Sequence, residues 1–317
     1  NNTAVGRAAL GANTTGHSNV GVGYQSLRSS TTATENTAVG FNALDATTTG
    51  ANNTAIGNGA LKLATGNSNY NTAVGSKALD ANTTASNNTA VGYDALGTNT
   101  TGHNNTALGY QSMFSNTTGN GRNTAVGAGS LYGNTTGYQN TAVGYNAGRG
   151  VTTGYMNTFM GESSGNGTTT GIENAFYGFG AGTANTTASS NAFIGGYSGN
   201  VNTTGANNTG CGHNTLRANT TSAGNTAVGK DSLTAATTGG WNTAIGFESG
   251  KGVTTGLRNV LLGYQSAKEL TTGDNCIAIG YEAGRSTSPS GSLTTQSNIL
   301  ALGDNNITDA YIKVDWT

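Results

Sequence analysis

Charge is what this chain has least of. Only 9% of its 317 residues are charged and the net charge is −1, against roughly 25% charged residues in an ordinary soluble domain. A disordered polyelectrolyte needs a high net charge, and a nucleic-acid or anionic-lipid surface needs a basic face; neither is present. A single Pro, with Gly in no three-residue period, excludes collagen. No window approaches the roughly 20 consecutive apolar residues of a membrane span. No signal-peptide pattern precedes the first repeat at Asn2. Aromatic residues make up 7% and are evenly spread, too few for one thick core. What is abundant is Gly, at 52 positions, which points to small side chains hidden in many thin layers.

Those layers are visible as an internal repeat. The phrase Asn2-Thr3-Ala4-Val5-Gly6 returns at Asn36–Gly40, Asn53–Gly57, Asn140–Gly144 and Asn242–Gly246. Its closing Gly falls at 6, 23, 40, 57, 75, 92, 109, 127 and 144, then every 17 residues to 280; two intervals are 18, and a last degenerate copy ends at Gly303. Such periodicity marks a solenoid in which each unit contacts its neighbours. Seventeen residues are too few for strand–helix–strand, and Thr and Val favour extended chain. The expectation is an all-β parallel β-roll of about 18 coils, each with two short strands and two Gly turns, stacked about 4.8 Å apart into a rod roughly 85 Å long. Residues 1–285 read as the repetitive shaft, and 286–317 as a loop, a last coil and a tip segment.

Within each period two apolar columns stand out. One precedes the motif Gly (Val5, Val39, Ile56, Leu108) and one follows it by four (Leu10, Leu27, Leu44, Met113). Both are expected to point into the coil, which turns the Ala column (Ala38, Ala55, Ala73) outward. A smooth Ala face could pack against other copies, or simply be solvated. From Gly148 to Gly199 the Leu column becomes Gly, while the Ala column becomes Phe159, Phe176 and Phe193; a change of cross-section is expected there. In Thr14-Thr15-Gly16 and its copies, Gly is expected to supply positive φ. The motif Asn column (Asn19, Asn36, Asn53) is expected to stack as an amide ladder.

These residues carry a resemblance. Asn-Thr-Ala-Val-Gly followed by a small-residue position resembles the head repeats of YadA-like trimeric autotransporter adhesins; with its Thr-Thr-Gly turns it also resembles bacteriophage tail-fibre proteins. The resemblance implies a left-handed β-roll assembled as a homotrimer. After Gly280 the register breaks at Ser286–Gly291, and the closing segment through Tyr311 and Trp316 is similar to one that leads into an intramolecular chaperone domain in phage fibres. That similarity tilts the reading toward a virion tail fibre, outside the cell, with other tail proteins and a host-surface glycan or protein receptor as partners. A bacterial cell-surface adhesin head is the alternative. An ice-binding solenoid is a third reading, disfavoured because the Thr-Thr pairs lie at turns.

Nothing in the chain reads as an enzyme, metal or cofactor site. His17, His103 and His213 lack partners at ligand spacing, and Glu35, Asp45, Asp80, Asp94, Glu162 and Glu173 form no repeating acid–base pair. Gly21-Val22-Gly23 is repeat grammar without a βαβ context. Cys211 is expected in a buried column and Cys276 in place of a motif Asn; four coils apart, they are too distant to pair. The residues proposed for surface contact follow the motif Gly: Tyr24, Phe41, Tyr93, Tyr110, Tyr145, Tyr264 and Tyr281. Exposed, they would stack on sugar rings; packed, they would form a structural ladder. Tyr311 and Trp316 are assigned to the tip.

Overall fold

The computed structural model describes residues 1–118, 121–286, 288, 291–304 and 306–307, and every element in it is a three-residue β-strand. The chain divides into two compact units. The first, residues 1–180 with 185–187, carries β1 (Thr3–Val5), β2 (Val20–Val22), β3 (Thr37–Val39), β4 (Thr54–Ile56), β5 (Thr72–Val74), β6 (Thr89–Val91), β7 (Thr106–Leu108), β8 (Thr124–Val126), β9 (Thr141–Val143), β10 (Thr158–Met160) and β11 (Ala175–Tyr177). The second, residues 181–184 and 188 onward, carries β12 (Ala192–Ile194), β13 (Thr209–Cys211), β14 (Thr226–Val228), β15 (Thr243–Ile245), β16 (Val260–Leu262), β17 (Ile277–Ile279) and β18 (Leu300–Leu302).

Inside each unit every strand pairs in parallel with the next, like position on like position. Thr37, Ala38 and Val39 face Thr54, Ala55 and Ile56; Thr226, Ala227 and Val228 face Thr243, Ala244 and Ile245. The long last interval leaves the register intact, with Ile277 opposite Leu300. The all-β parallel solenoid with a 17-residue period is therefore the observed fold.

Each coil has one strand, where the sequence suggested two. The flank after the motif Gly places alternate residues at positive φ, as in Gln25 (55°) and Leu27 (51°) or Asn42 (55°) and Leu44 (52°). It still bonds coil to coil: the Leu27 N–H donates to Ala43 O (3.0 Å) and the Leu44 N–H to Ala60 O (3.0 Å). A left-handed Leu costs about 1–2 kcal/mol. Burying its side chain returns about 1.5–3 kcal/mol, so the conformation persists in a stack that fixes it from both sides.

The interior also inverts the expected sidedness. Ala38, Ala55 and Ala90 are fully buried, whereas Val5 is 56%, Ile56 41% and Leu108 46% exposed. The coil is thin, and the Leu column crosses it to meet the strand: a Cβ added to Gly21, at the strand's inward position, would lie 3.6 Å from Leu10 Cγ. With Leu on one side, only a small residue fits on the other. Where the strand presents Phe159 or Phe176, both fully buried, the facing column has Gly148 and Gly165. The exchange of volume is real, and β9, β10 and β11 keep the parallel register of their neighbours through it.

The motif Asn side chains form the expected ladder. Asn53 Oδ1 accepts the backbone N–H (3.0 Å) and Nδ2 (3.1 Å) of Asn71, while Asn53 Nδ2 donates to Asn36 Oδ1 (3.1 Å) and Ser68 O (2.8 Å). A rung of this kind ties three chain segments together and satisfies its buried amide; at Asn105 the Oδ1 is bonded but the Nδ2 is left without a partner. In the Thr-Thr-Gly turns the Gly does not supply positive φ: Gly50 has none, and the same position holds the buried Ala33, Ser68 and Ala85 in other coils. The positive φ falls two residues later, on exposed Glu35, Asn52 and Asn87. In most turns the first Thr donates its hydroxyl to the next coil, as from Thr14 to Thr31 O (2.9 Å) and from Thr100 to Thr117 O (2.7 Å).

Candidate binding surface

The outward face of the strands is built by alternation. With Ala38 turned inward, Thr37 and Val39 turn outward, and in-register stacking repeats this in every coil. In the first unit the outer column runs Val5, Val22, Val39, Ile56, Val74, Val91, then on through Leu108 to Tyr177, without one polar residue. The second unit continues the pattern from Ile194 to Leu302. Cys211 stands in this column and is exposed, so its expected burial is corrected with that of the whole column; Cys276 is buried at the motif-Asn position as expected. Its backbone N–H still donates to Asn259 Oδ1 (2.8 Å), and its Sγ lies 3.2 Å from Gln296 O.

At the chosen aromatic positions Tyr24, Phe41, Tyr93, Tyr110, Tyr145, Tyr264 and Tyr281 are all exposed. Most stack on one another. Tyr24 and Phe41 have centroids 5.2 Å apart, Tyr93 and Tyr110 5.6 Å, and Tyr264 and Tyr281 5.1 Å, with interplanar angles of 8°, 12° and 7°. Phe247 adds a third rung below Tyr264 at 5.4 Å. Stacked faces are mutually covered, so these rungs offer mainly edges to solvent. Tyr145 has no ring on the adjacent coils, which carry Ala128 and Glu162 at its position. Tyr311 and Trp316 lie outside the described residues.

One polar cluster has a signal that the sequence reading passed over: Glu248, Gln265 and Glu282 lie at 17-residue spacing, as do Lys251, Lys268 and Arg285. Stacking joins them. Glu248 receives Lys251 Nζ and Lys268 Nζ, each at 2.6 Å, and Gln265 Nε2 at 2.7 Å. Hydrogen bonds from the two lysines hold its carboxyl down at about 2. Arg285 bridges Glu282 Oε1 and Gln265 Oε1, both at 2.6 Å. Glu269 accepts from Ser292, which keeps its pKa below the usual range. This network ties adjacent coils; all of its carboxylates have partners.

Among the described residues no three His, Cys, Asp or Glu side chains gather as a metal site, and no helix is long and apolar enough to cross a membrane. His103 Nδ1 accepts the Ser86 N–H (2.9 Å), a bond within the stack. No known protein family and no curated protein matches the chain.

Proposed function

We propose that this chain is the shaft of an extracellular fibre, that it self-associates as a homotrimer through the outward Thr-x-Val face, and that it carries attachment to a host-surface glycan or protein as part of a phage tail fibre. The observation that supports this most is the apolar column that every strand turns outward. Along the first unit it runs about 50 Å; with the flanking Thr methyls it covers on the order of 500 Å². That is at the top of the range for an apolar patch on a soluble monomer. The column stays apolar from strand to strand, as a self-complementary surface would require. The reading assigns no catalysis and no cofactor to the chain.

Sedimentation equilibrium tests it. The expected mass is three chains, falling to one on Ile56→Glu with Leu108→Glu, and a parent protein that is a stable monomer overturns the reading. Cys211 serves as a built-in reporter: mild oxidation of the trimer should join pairs of chains through it, and Cys211→Ser should abolish the product. A bacterial surface adhesin shares this physics, and the genes flanking the reading frame distinguish the two. The ice-binding reading gains one observation, since the strand Thr column faces outward. Val20, Ala175, Ala192, Val260, Ile277 and Leu300 interrupt it, and thermal hysteresis would be its test.

A further inference from the structure

In the aromatic column of the first unit, one small residue, Ala128, stands between two tyrosines. Tyr110, Ala128 and Tyr145 are consecutive steps of one column: the Gly129 N–H donates to Tyr110 O (3.0 Å) and the Asn146 N–H to Ala128 O (3.0 Å). The strands preceding them pair in register, Leu108 on Val126 on Val143. One step down the column, Tyr93 stacks on Tyr110 at 5.6 Å and 12°. Above Tyr110 the next residue is the half-buried Ala128, and the one after is Tyr145, 58% exposed. Two coil spacings, roughly 10 Å, separate the two tyrosines. Tyr110 and Tyr145 thus stand two rungs apart on one column, with the alanine methyl on the rung between them.

We propose that this notch binds one pyranose ring of a glycan, sandwiched between Tyr110 and Tyr145. Each contact would be about 5 Å between centroids, within the range of ring stacking. The ring must present C–H groups on both faces, which selects the β-gluco configuration, in which every hydroxyl is equatorial. The hydroxyls then point out of the notch, where the amide-bearing Gln111 and Asn146 each follow a wall or base residue of the column. Asn146 lies over Gly129, where a Cβ would meet its Oδ1 at 2.5 Å and Arg149 Nη1 at 3.1 Å; Arg149 Nη1 donates to that Oδ1 (3.1 Å), so this pair lines that side of the notch with polar groups. Elsewhere in the first unit the ladder is not broken in this way: Phe41 and Tyr93 are separated by two steps, Asn58 and Ser76, and the step above Tyr145 carries the charged Glu162. This inference rests on the receptor-binding reading above and gives it a site on the side of the shaft.

Saturation-transfer NMR with methyl β-glucopyranoside tests it on the whole chain. Saturation is expected on the protons of both ring faces. Methyl β-galactopyranoside, whose axial hydroxyl obstructs one face, should bind at least fivefold more weakly. Ala128→Tyr fills the gap with a ring and should weaken glucoside binding at least tenfold while leaving the sedimentation mass and thermal unfolding unchanged; Tyr145→Ala removes a wall and should do the same. The proposal is overturned if the parent protein gives no glucoside signal, if Ala128→Tyr binds as well as the parent, or if p-cresol occupies the notch in place of the sugar. A monomer that binds the glucoside and loses it on Ala128→Tyr supports the notch and removes only the trimeric shaft.

Discussion

Phe159 stands in the space left by Gly148: a Cβ on that glycine would lie 2.6 Å from Phe159 Cδ2 and 3.0 Å from Leu131 Cδ2. The same relationship recurs in the second unit, where a Cβ on Gly250 would lie 2.5 Å from Leu261 Cδ1. The two inward columns share one fixed volume, and each coil fills it once.

This makes a double-mutant cycle informative. Phe159→Ala should cost about 3–5 kcal/mol through the cavity it leaves. Gly148→Leu alone should also destabilise, by clash. Together they recreate the Ala–Leu pairing of Ala38 and Leu27, and urea denaturation should show at least half of the loss recovered. Gly148 at φ 58° already has nearly the backbone of Leu44 at 52°, so the new side chain meets no additional strain.

Removing one rung of the amide ladder should be expensive. Asn88 accepts the Asn105 N–H (2.9 Å) and donates to Gly102 O (2.9 Å). Asn88→Ala leaves the Asn105 N–H buried without a partner, at about 1–3 kcal/mol, while Gly102 O keeps its bond from Asn99 Nδ2 (3.0 Å). A loss of about 2 kcal/mol by chemical denaturation is the expected result.

Two glycines with positive φ should behave differently. At Gly75 (φ 130°) a Cβ would lie 2.5 Å from Gly92 O, whereas at Gly66 (φ 49°) nothing lies within 4 Å. Gly66→Ala should cost only about 1–2 kcal/mol of left-handed strain. Gly75→Ala must push two coils apart and should prevent soluble expression or lower the melting temperature far more, which a thermal scan would measure.

Acid should loosen the coils around Glu248 first. Its folded pKa of about 2 lies below the ordinary 4.5, so its stabilisation is complete above the ordinary value and disappears as pH falls toward the folded one. Glu269 acts in the same direction. Asp80, raised chiefly by burial, acts oppositely: its contribution is present at low pH and is lost as pH rises. Protection against hydrogen exchange at residues 249–251, relative to the intrinsic rate at each pH, should fall between pH 4.5 and 2, and Glu248→Gln should flatten that dependence.

The solenoid, its period, its coil count and the amide ladder were legible because stacking gives each column a single environment. A column that buries an amide in one coil buries it in all, and the sequence repeats accordingly at Asn36, Asn53 and Asn71. The Glu248 cluster was legible by the same rule, as three positions at the repeat spacing.

What the residues alone determined was parity: Thr37 and Val39 share a face, and Ala38 takes the other. Which face lies inside was decided by the folded coil, because both candidates are apolar and hydrophobicity cannot choose between them. Volume chose. The left-handed flank drives Leu across a thin interior and leaves room for a methyl group, so alanine goes in, valine goes out, and a broad apolar face stays exposed.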